Sequence, residues 1–147
     1  MGWPGTCDRK RDDQTNPKNK DNDMATTESD VRTEEFMLDY MDNANVGLHW
    51  VDGEATIIWA NKADYEPLGY TKEEWIGHKI TEFHADQAVI EDILTRLLGG
   101  ESLYHYKADL LCKDGSTVSV DIASSGLFDG DEFLHTRCFT TTDPAAV

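Results

Sequence analysis

Histidine and cysteine side chains are the groups of this sequence that could ligate a metal ion or a haem iron. They are His49, His78, His84, His105 and His135, together with Cys7, Cys112 and Cys138. No two cysteines form a C-x-x-C pair, so the spacing typical of a zinc site or a disulfide framework is absent. His84 directly precedes the long helix that the sequence predicts, which makes it the candidate for an axial haem ligand. We interpret it instead as a junction histidine that hydrogen-bonds or meets solvent.

Other kinds of chemistry are not indicated. Acidic residues are many but scattered, and neither a nucleophile beside a base nor a phosphate-binding loop accompanies them. The 29 acidic and 13 basic residues give a formal net charge of −16, which would repel a phosphate backbone, so direct nucleic-acid binding is excluded. No run approaches the roughly 18 apolar residues of a membrane span, and no signal peptide is evident at the start. We therefore expect a cytoplasmic protein that is not itself an enzyme.

The ends of the chain differ in composition from its middle. Residues 1–30 are charged and polar with almost no large apolar side chains, so we predict a disordered tail there. A short amphipathic flanking helix is predicted over 31–45, with an apolar face made of Phe36, Met37, Tyr40 and Met41. The main domain is predicted over 46–142, and 143–147 form a short C-terminal tail.

The first half of the main domain predicts a hairpin followed by broken helices. The runs 46–51 and 56–60 are rich in β-forming residues and flank an Asp-Gly turn. Residues 61–84 read NKADYEPLGYTKEEWIGHKITEFH, where Gly69 and Gly77 allow abrupt changes of direction. This segment therefore predicts several short helices rather than one long helix.

The second half predicts one long helix and three strands. Residues 86–98 place apolar side chains on one helical face, namely Val89, Ile90, Ile93, Leu94, Leu97 and Leu98. The strands are predicted over 102–112, 116–128 and 132–142. Their apolar residues alternate, which indicates an antiparallel sheet with one covered face. Only the helices can supply that cover, so the fold class is α+β.

Strand alternation also assigns side chains to the two faces of the sheet. In the third strand, the face toward the helices is predicted to carry Tyr104, Tyr106, Ala108, Leu110 and Cys112, while His105 faces outward. In the last strand, one face carries Phe133, His135, Arg137 and Phe139, and the other carries the smaller set Leu134, Thr136 and Cys138. If the smaller set faces the helices, Phe133 and Phe139 lie on the outer face.

Several short motifs together carry a resemblance to a known family. They are Asn61, Leu68-Gly69-Tyr70, Thr71-Lys72-Glu73-Glu74, Gly77, Gly99-Gly100-Glu101 and Lys113-Asp114-Gly115. In this order and spacing, the sequence resembles the PAS domain in its S-box form. The resemblance implies a five-stranded antiparallel sheet in the order 2-1-5-4-3, with short helices and one longer helix across one face. It also implies a sensory or interaction role. The chain either acts through a separate partner, such as a histidine kinase or a regulator, or is a fragment of a longer protein.

The resemblance narrows the possible cofactors. Adduct-forming flavin domains of the light-oxygen-voltage type carry Asn-Cys-Arg directly after the glycine that Gly77 matches, whereas this sequence has His78, Lys79 and Ile80. An adduct-forming flavin is therefore excluded. A non-covalent flavin that stacks on Trp59 or Tyr65 stays open, as does haem on His84.

The implied strand order also bears on metal and disulfide chemistry. His49 and His135 would be neighbours, but two histidines without a third ligand make a poor zinc site, so no metal is predicted. Cys112 and Cys138 would lie about 10 Å apart, which is too far for a disulfide.

Two hypotheses about function follow. In the first, a cavity between the sheet and residues 61–98 binds a small, mostly apolar ligand. Its predicted walls are Trp59, Tyr65, Leu68, Phe83, Ile90, Ile93, Leu94, Tyr106, Ala108 and Leu110, with Ser124 as a polar contact. In the second, these side chains only fill the core, and the domain is an interaction module. A homodimer is predicted through an apolar surface made of Phe36, Met37, Tyr40, Met41, Phe133 and Phe139.

Overall fold

The computed structural model describes residues 27–142. The predicted tail 143–147, and the predicted tail 1–30 except for 27–30, lie outside the described residues. Helix α1 (Glu28–Asp42) begins three residues before the predicted start at residue 31. Its start is set by Thr27, whose hydroxyl accepts a hydrogen bond from the Asp30 backbone N at 3.2 Å. A boundary between two units of the structure falls within this helix, between Glu34 and Glu35.

Five antiparallel strands form one sheet in the order β2-β1-β5-β4-β3, so the predicted topology is confirmed. The strands are β1 (Gly47–Val51), β2 (Ile57–Ala60), β3 (Leu103–Leu111), β4 (Thr117–Asp129) and β5 (Glu132–Thr142). Buried and more accessible residues alternate along β1 and through the middle of β4, as expected for a sheet that is covered on one face. We call the covered face the inner face and the opposite one the outer face.

Short helices and one longer helix cover the inner face, as predicted. They are α2 (Lys62–Tyr65), α3 (Lys72–Trp75) and α4 (Gln87–Leu98), with 3-10 turns at Glu66–Leu68 and Ile80–Phe83. Gly69 and Gly77 take φ values of 90° and 88°, which side chains rarely allow, and they form the corners of this cover. Asp86 caps α4 by accepting a hydrogen bond from the Ala88 backbone N at 2.9 Å.

A bulge in β3 changes which aromatic residue points inward. Between Leu103 and Tyr106 the register with β4 slips by one residue, and His105 takes a φ of 52°. Leu103 is therefore buried in the core, whereas Tyr104 is 78% exposed. The prediction that Tyr104 faces the helices is wrong, while His105 is exposed as predicted.

A second bulge corrects the predicted position of Phe133. Leu127 pairs with His135 but Phe128 pairs with Phe133, so β5 carries one extra residue at this point. Phe133 consequently lies half-buried on the helix side, where its ring meets Phe128 edge-to-face at 5.3 Å. Phe139 is exposed, as its predicted outward position requires.

Helix α1 differs from the other helices because no residue in it is buried. The side chains of Phe36, Met37 and Tyr40 are all exposed, and Phe36 leaves 66% of its surface accessible. None of the described helices is long and apolar enough to cross a membrane. Cys112 and Cys138 are free thiols.

Candidate functional site

A cavity of about 30 Å³ lies between the inner face of the sheet and its helical cover. Aliphatic side chains from α4 and the sheet make up most of its wall, among them Ile90, Ile93, Leu94, Leu97, Leu110 and Ile122. Polar side chains interrupt this apolar wall, namely His49, Asp64, His84, Ser124, Thr136 and Thr140. The cavity therefore has both an apolar lining and a set of buried hydrogen-bonding groups.

Asp64 organises the polar part of the wall. Its side chain lies 3.0 Å from His49 Nδ1 and accepts a hydrogen bond of 2.8 Å from the indole Nε1 of Trp75. All three residues are buried. Gly47 makes room for this carboxylate, because a Cβ atom on residue 47 would lie 2.8 Å from Asp64 Oδ1.

His49 carries charge in this buried setting. Burial alone would lower the pKa of its imidazole, but the Asp64 carboxylate and the Cys138 thiol outweigh that effect and raise the pKa well above its ordinary value. His49 and Asp64 therefore form a buried ion pair, and Trp75 holds the second carboxylate oxygen.

The pKa of His84 is shifted in the opposite direction to that of His49. Burial, and then the nearby charge of His49, lower its pKa to about 4, so the imidazole is neutral at pH 7. Its Nδ1 atom has no hydrogen-bond partner within the described part of the chain. The side chain lies in the interior because the segment before α4 bridges to Leu110 on β3. The interpretation of His84 as a junction histidine that hydrogen-bonds or meets solvent stays a prediction.

Comparison with known families decides which fold this is. The family model of the PAS domain matches residues 44–141. The chain belongs to the PAS family. No curated protein sequence matches it. The match spans the sheet and its helical cover, so the cavity is the interior cavity of a PAS domain.

Solved structures of other PAS domains share this fold. The PAS domain of an HTR-like protein from Haloarcula marismortui is 24% identical, with a TM-score of 0.65 over 77% of this chain and 93% of that one. A domain of a sensory box sensor histidine kinase/response regulator from Geobacter sulfurreducens is 20% identical, with a TM-score of 0.61 over 81% and 100%. Drosophila melanogaster Cycle PAS-B with bound ethylene glycol is 14% identical, with a TM-score of 0.61 over 66% and 99%. At these identities the likeness concerns the fold.

Some of the predicted wall residues line the PAS cavity. They are Ile90, Ile93 and Leu94 on α4, Leu110 on β3 and Ser124 on β4. Each lies in an element that is long enough for its apolar pattern to define an inward face. These elements are the 12-residue helix α4 and the strands β3 and β4, of 9 and 13 residues. That these five residues bind a ligand stays a prediction.

Other predicted wall residues lie elsewhere in the PAS domain. Trp59 belongs to the outer face, where its ring lies 5.0 Å from that of its strand partner Trp50. Tyr65 and Leu68 are buried in the core but line separate surface grooves. Phe83 stacks on Trp75 at 4.2 Å, which fills the space beneath α3. These four predicted wall residues are therefore not among the residues that line the cavity, and a ligand contact by any of them stays a prediction.

Tyr106 and Ala108 on β3 are also absent from the cavity wall. The Tyr106 hydroxyl donates a hydrogen bond of 2.7 Å to Asp92 on α4, so its ring lies at the margin of the sheet. Ala108 is buried in the core cluster. Both are packing residues, contrary to the prediction that they line the cavity.

The sequence interpretation missed the polar centre of the PAS cavity. His49 shares its strand face with Val51, so strand alternation could have placed it inside. The sequence around Asp64 does not indicate that this residue is buried, because a helix of four residues is too short to define a buried face. Thr136 lies inside because β5 alternates, and its hydroxyl accepts a hydrogen bond of 3.0 Å from the Val51 backbone N.

Asn61 joins three separate parts of the PAS domain. Its side-chain oxygen accepts a hydrogen bond from the Leu48 backbone N at 2.8 Å. Its amide group donates to the backbone oxygens of Met41 and Val46, at 2.8 and 2.9 Å. The side chain thus links the end of α1 and the start of β1 to the point where the helical cover begins.

The volume of the cavity bears on whether a large cofactor such as haem or flavin fits in it. Pockets for drug-sized ligands typically enclose about 300–1,000 Å³, and haem or flavin rings are no smaller than such ligands. The cavity beside His84 is far smaller than that range in this structure. Among residues 27–142, no three His, Cys, Asp or Glu side chains are placed to hold a metal ion. The part of the chain that the structure describes contains no kinase or cyclase fold.

Proposed function

We propose that this PAS domain is a sensory module that binds a small molecule in its interior cavity and passes the change to a signalling protein through its sheet. One observation carries the proposal: His84 Nδ1 and Ser124 Oγ are buried in the cavity wall without a hydrogen-bond partner among the described residues. Buried polar atoms are normally hydrogen-bonded, so an unpaired pair in one cavity points to an occupant. The cytoplasmic location stays a prediction.

Two of the similar structures support the proposed sensory function. One neighbouring structure is a domain of a sensor histidine kinase/response regulator, and another is a PAS-B domain with bound ethylene glycol. A small hydroxyl-bearing molecule in a domain of the same fold is compatible with a cavity of about 30 Å³ here. A histidine kinase or a response regulator is the class of signalling partner that we propose.

Native mass spectrometry of freshly purified protein tests the sensory function directly. We expect a fraction of the molecules to retain a small adduct above the polypeptide mass, and that fraction should fall when the protein is unfolded and refolded in clean buffer. An absorption spectrum of the same sample reports any haem or flavin. Protein that stays colourless and at its bare mass, even after incubation with a cell extract, would contradict the proposal.

The alternative function is a ligand-free interaction module, and the outer face of the sheet favours it. Trp50 stacks on His135 at 4.8 Å and lies 5.0 Å from the tilted ring of Trp59, and all three are half-buried. Phe139 on the same face is exposed, as are the apolar side chains of α1. An uncovered apolar surface of this kind is typical of an interface.

We predict that this surface forms a homodimer. Sedimentation velocity at micromolar concentration should show a dimer for the wild-type chain and a monomer for Phe36→Ser and Phe139→Ser, because both substitutions remove exposed apolar area. Tyr104→Ser is the control, since Tyr104 is an exposed aromatic residue on the edge strand β3 and is not part of the predicted surface. A wild-type protein that sediments as a monomer would refute the dimer.

A further inference from the structure

The unpaired polar atoms of the cavity wall restrict the chemistry of its occupant. The residues His84 and Ser124 are 4% and 5% exposed, and neither His84 Nδ1 nor Ser124 Oγ has a partner within residues 27–142. Other polar groups of the wall are satisfied by the protein: Thr136 bonds to the Val51 backbone, and Asp64 bonds to His49 and Trp75. A hydrocarbon occupant would leave both orphan atoms unpaired, which is costly.

The two orphan atoms come from different walls of the same cavity. Ser124 lies on the inner face of the sheet, in a row that runs from His49 on β1 through Cys138 on β5 to Ser124 on β4. His84 comes from the helical cover, where its backbone bridges to Leu110. An occupant of the cavity is thus offered polar groups by both the sheet and the cover.

The charges of the wall favour an uncharged occupant. Among the described residues that line the cavity, the ion pair of His49 and Asp64 is already matched within itself. His84 is neutral at pH 7. A carboxylate or an ammonium group would therefore be buried without a counter-ion, which proteins avoid.

The hydrogen-bonding capacity of the two side chains sets the polar groups that the occupant needs. A serine hydroxyl both donates and accepts, and a neutral imidazole has one donor and one acceptor nitrogen. A molecule with at least one donor and one acceptor can pair with both side chains whichever imidazole nitrogen carries the proton. A cavity of about 30 Å³ has room for about two water-sized positions, so the molecule must be compact.

We propose that the cavity binds a compact, uncharged molecule with a hydrogen-bond donor and an acceptor, such as a short amide or alcohol, held by Ser124 and His84. This inference rests on the proposed sensory function and deepens it, because it names the class of ligand. Apolar atoms of the same molecule would contact Ile93 and Leu94 on α4.

A series of probes of one shape tests the ligand class. Acetamide, acetone, acetate and isobutene share the same branched skeleton but differ in charge and in hydrogen-bonding groups. Each is titrated into the full chain while the NMR resonances of Ile93, Leu94 and Ser124 are followed. We expect acetamide to bind in a saturable way, acetone and isobutene to bind at least about tenfold more weakly, and acetate not to bind.

Substitutions test the two side chains. Ser124→Ala should weaken acetamide binding about tenfold, whereas Ser125→Ala, which alters the half-buried neighbour on the outer face, should leave it unchanged. His84→Leu should also weaken binding about tenfold. His84→Asn restores a polar atom near the position of Nδ1 and should recover part of the affinity.

The outcomes separate this inference from the proposed function. If isobutene binds as tightly as acetamide, or if Ser124→Ala leaves acetamide binding unchanged, the ligand class is wrong while ligand binding as such survives. If no probe binds, water alone occupies the polar sites and the inference is overturned. The sensory function is decided independently by the retained adduct in native mass spectrometry.

Discussion

Asp64 is the residue on which the polar wall of the cavity depends, because one carboxylate serves both His49 and Trp75. Removing one partner of a buried ion pair leaves the other charge uncompensated, which is far costlier than losing an exposed pair. The cavity therefore keeps its buried imidazolium only as long as this carboxylate is present.

We predict that Asp64→Ala lowers the free energy of unfolding by about 3 to 5 kcal/mol, since it strands the His49 charge and the Trp75 indole N–H. Urea unfolding followed by tryptophan fluorescence measures the change. Asp42→Ala is the matched control, because Asp42 pairs with Lys62 at 3.4 Å near the surface, and it should cost less than about 1 kcal/mol. Equal costs for the two variants would show that the buried pair adds nothing.

His84 should make the folded domain less stable at acidic pH. Its folded pKa of about 4 lies below its ordinary value of 6.5, so the unfolded chain takes up a proton first as the pH falls. Stability should therefore fall as the pH drops from 6.5 toward 4. The pKa of His49 is raised, so the stability that this residue contributes is fully present below pH 6.5 and is lost only as the pH rises. His49 therefore does not oppose the loss of stability at acidic pH.

We predict that the wild-type domain loses about 1.5 kcal/mol between pH 6.5 and pH 5 through His84. The free energy of unfolding at a series of pH values should show this loss in the wild type and in a His105→Asn control, whose imidazole is exposed on β3. His84→Leu should lack most of it. A pH profile of His84→Leu that parallels the wild type would assign the acid sensitivity to other groups.

At the scale of secondary-structure elements, Asn61 is the link that ties α1 to the sheet. It is fully buried, and it supplies hydrogen bonds to three backbone groups on both sides of the α1 to β1 connection. The end of a helix leaves backbone oxygens unsatisfied, and the Met41 oxygen is one of those that this side chain pairs. The position of the end of α1 against β1 therefore depends on a side chain from the beginning of the helical cover.

We predict that Asn61→Ala costs about 2 to 4 kcal/mol of stability, because it removes a buried side chain that pairs with half-buried backbone groups of Met41, Val46 and Leu48. Hydrogen exchange should show lost protection at the Leu48 amide. Asn43→Ala removes an exposed amide that bonds only within α1, and it should change neither quantity by much. Retained protection of Leu48 in Asn61→Ala would refute this role.

The sequence predicted the order of the elements but not the two bulges. Periodicity identifies α4 and the strands, and the PAS motifs imply their arrangement. A bulge adds one residue without changing the apolar pattern nearby, so Tyr104 and Phe133 were assigned to the wrong faces. Asp64 could not be found because its burial is decided by Gly47 and Trp75, which are distant in sequence.

At the scale of the whole molecule, the sheet connects the cavity with the apolar surface. His49 and Cys138 face the cavity from β1 and β5, while Trp50 and Phe139, their neighbours along the same strands, face outward. A shift of either strand in response to an occupant would move residues on both faces. Under the proposed function, this geometry would let one sheet serve both a ligand and a partner.

The acidity of the whole molecule affects its stability independently of the cavity. A net charge of −16 on 147 residues produces self-repulsion that favours expansion of the chain. Dissolved salt screens this repulsion, because the Debye length falls from about 10 Å at 0.1 M to about 3 Å at 1 M.

We therefore predict that the melting temperature rises as KCl increases from about 0.1 to 1 M, since the folded state gains most from screening at short distances. A variant with Gln at the exposed positions Glu66, Glu73, Glu91 and Glu132 should respond less steeply, because part of the repulsion is gone. The control carries Asp at the same positions and keeps the charge, so it should respond like the wild type. If the Gln and Asp variants respond equally, the salt effect does not arise from the surface charge, and the acidity of the molecule has no part in its stability.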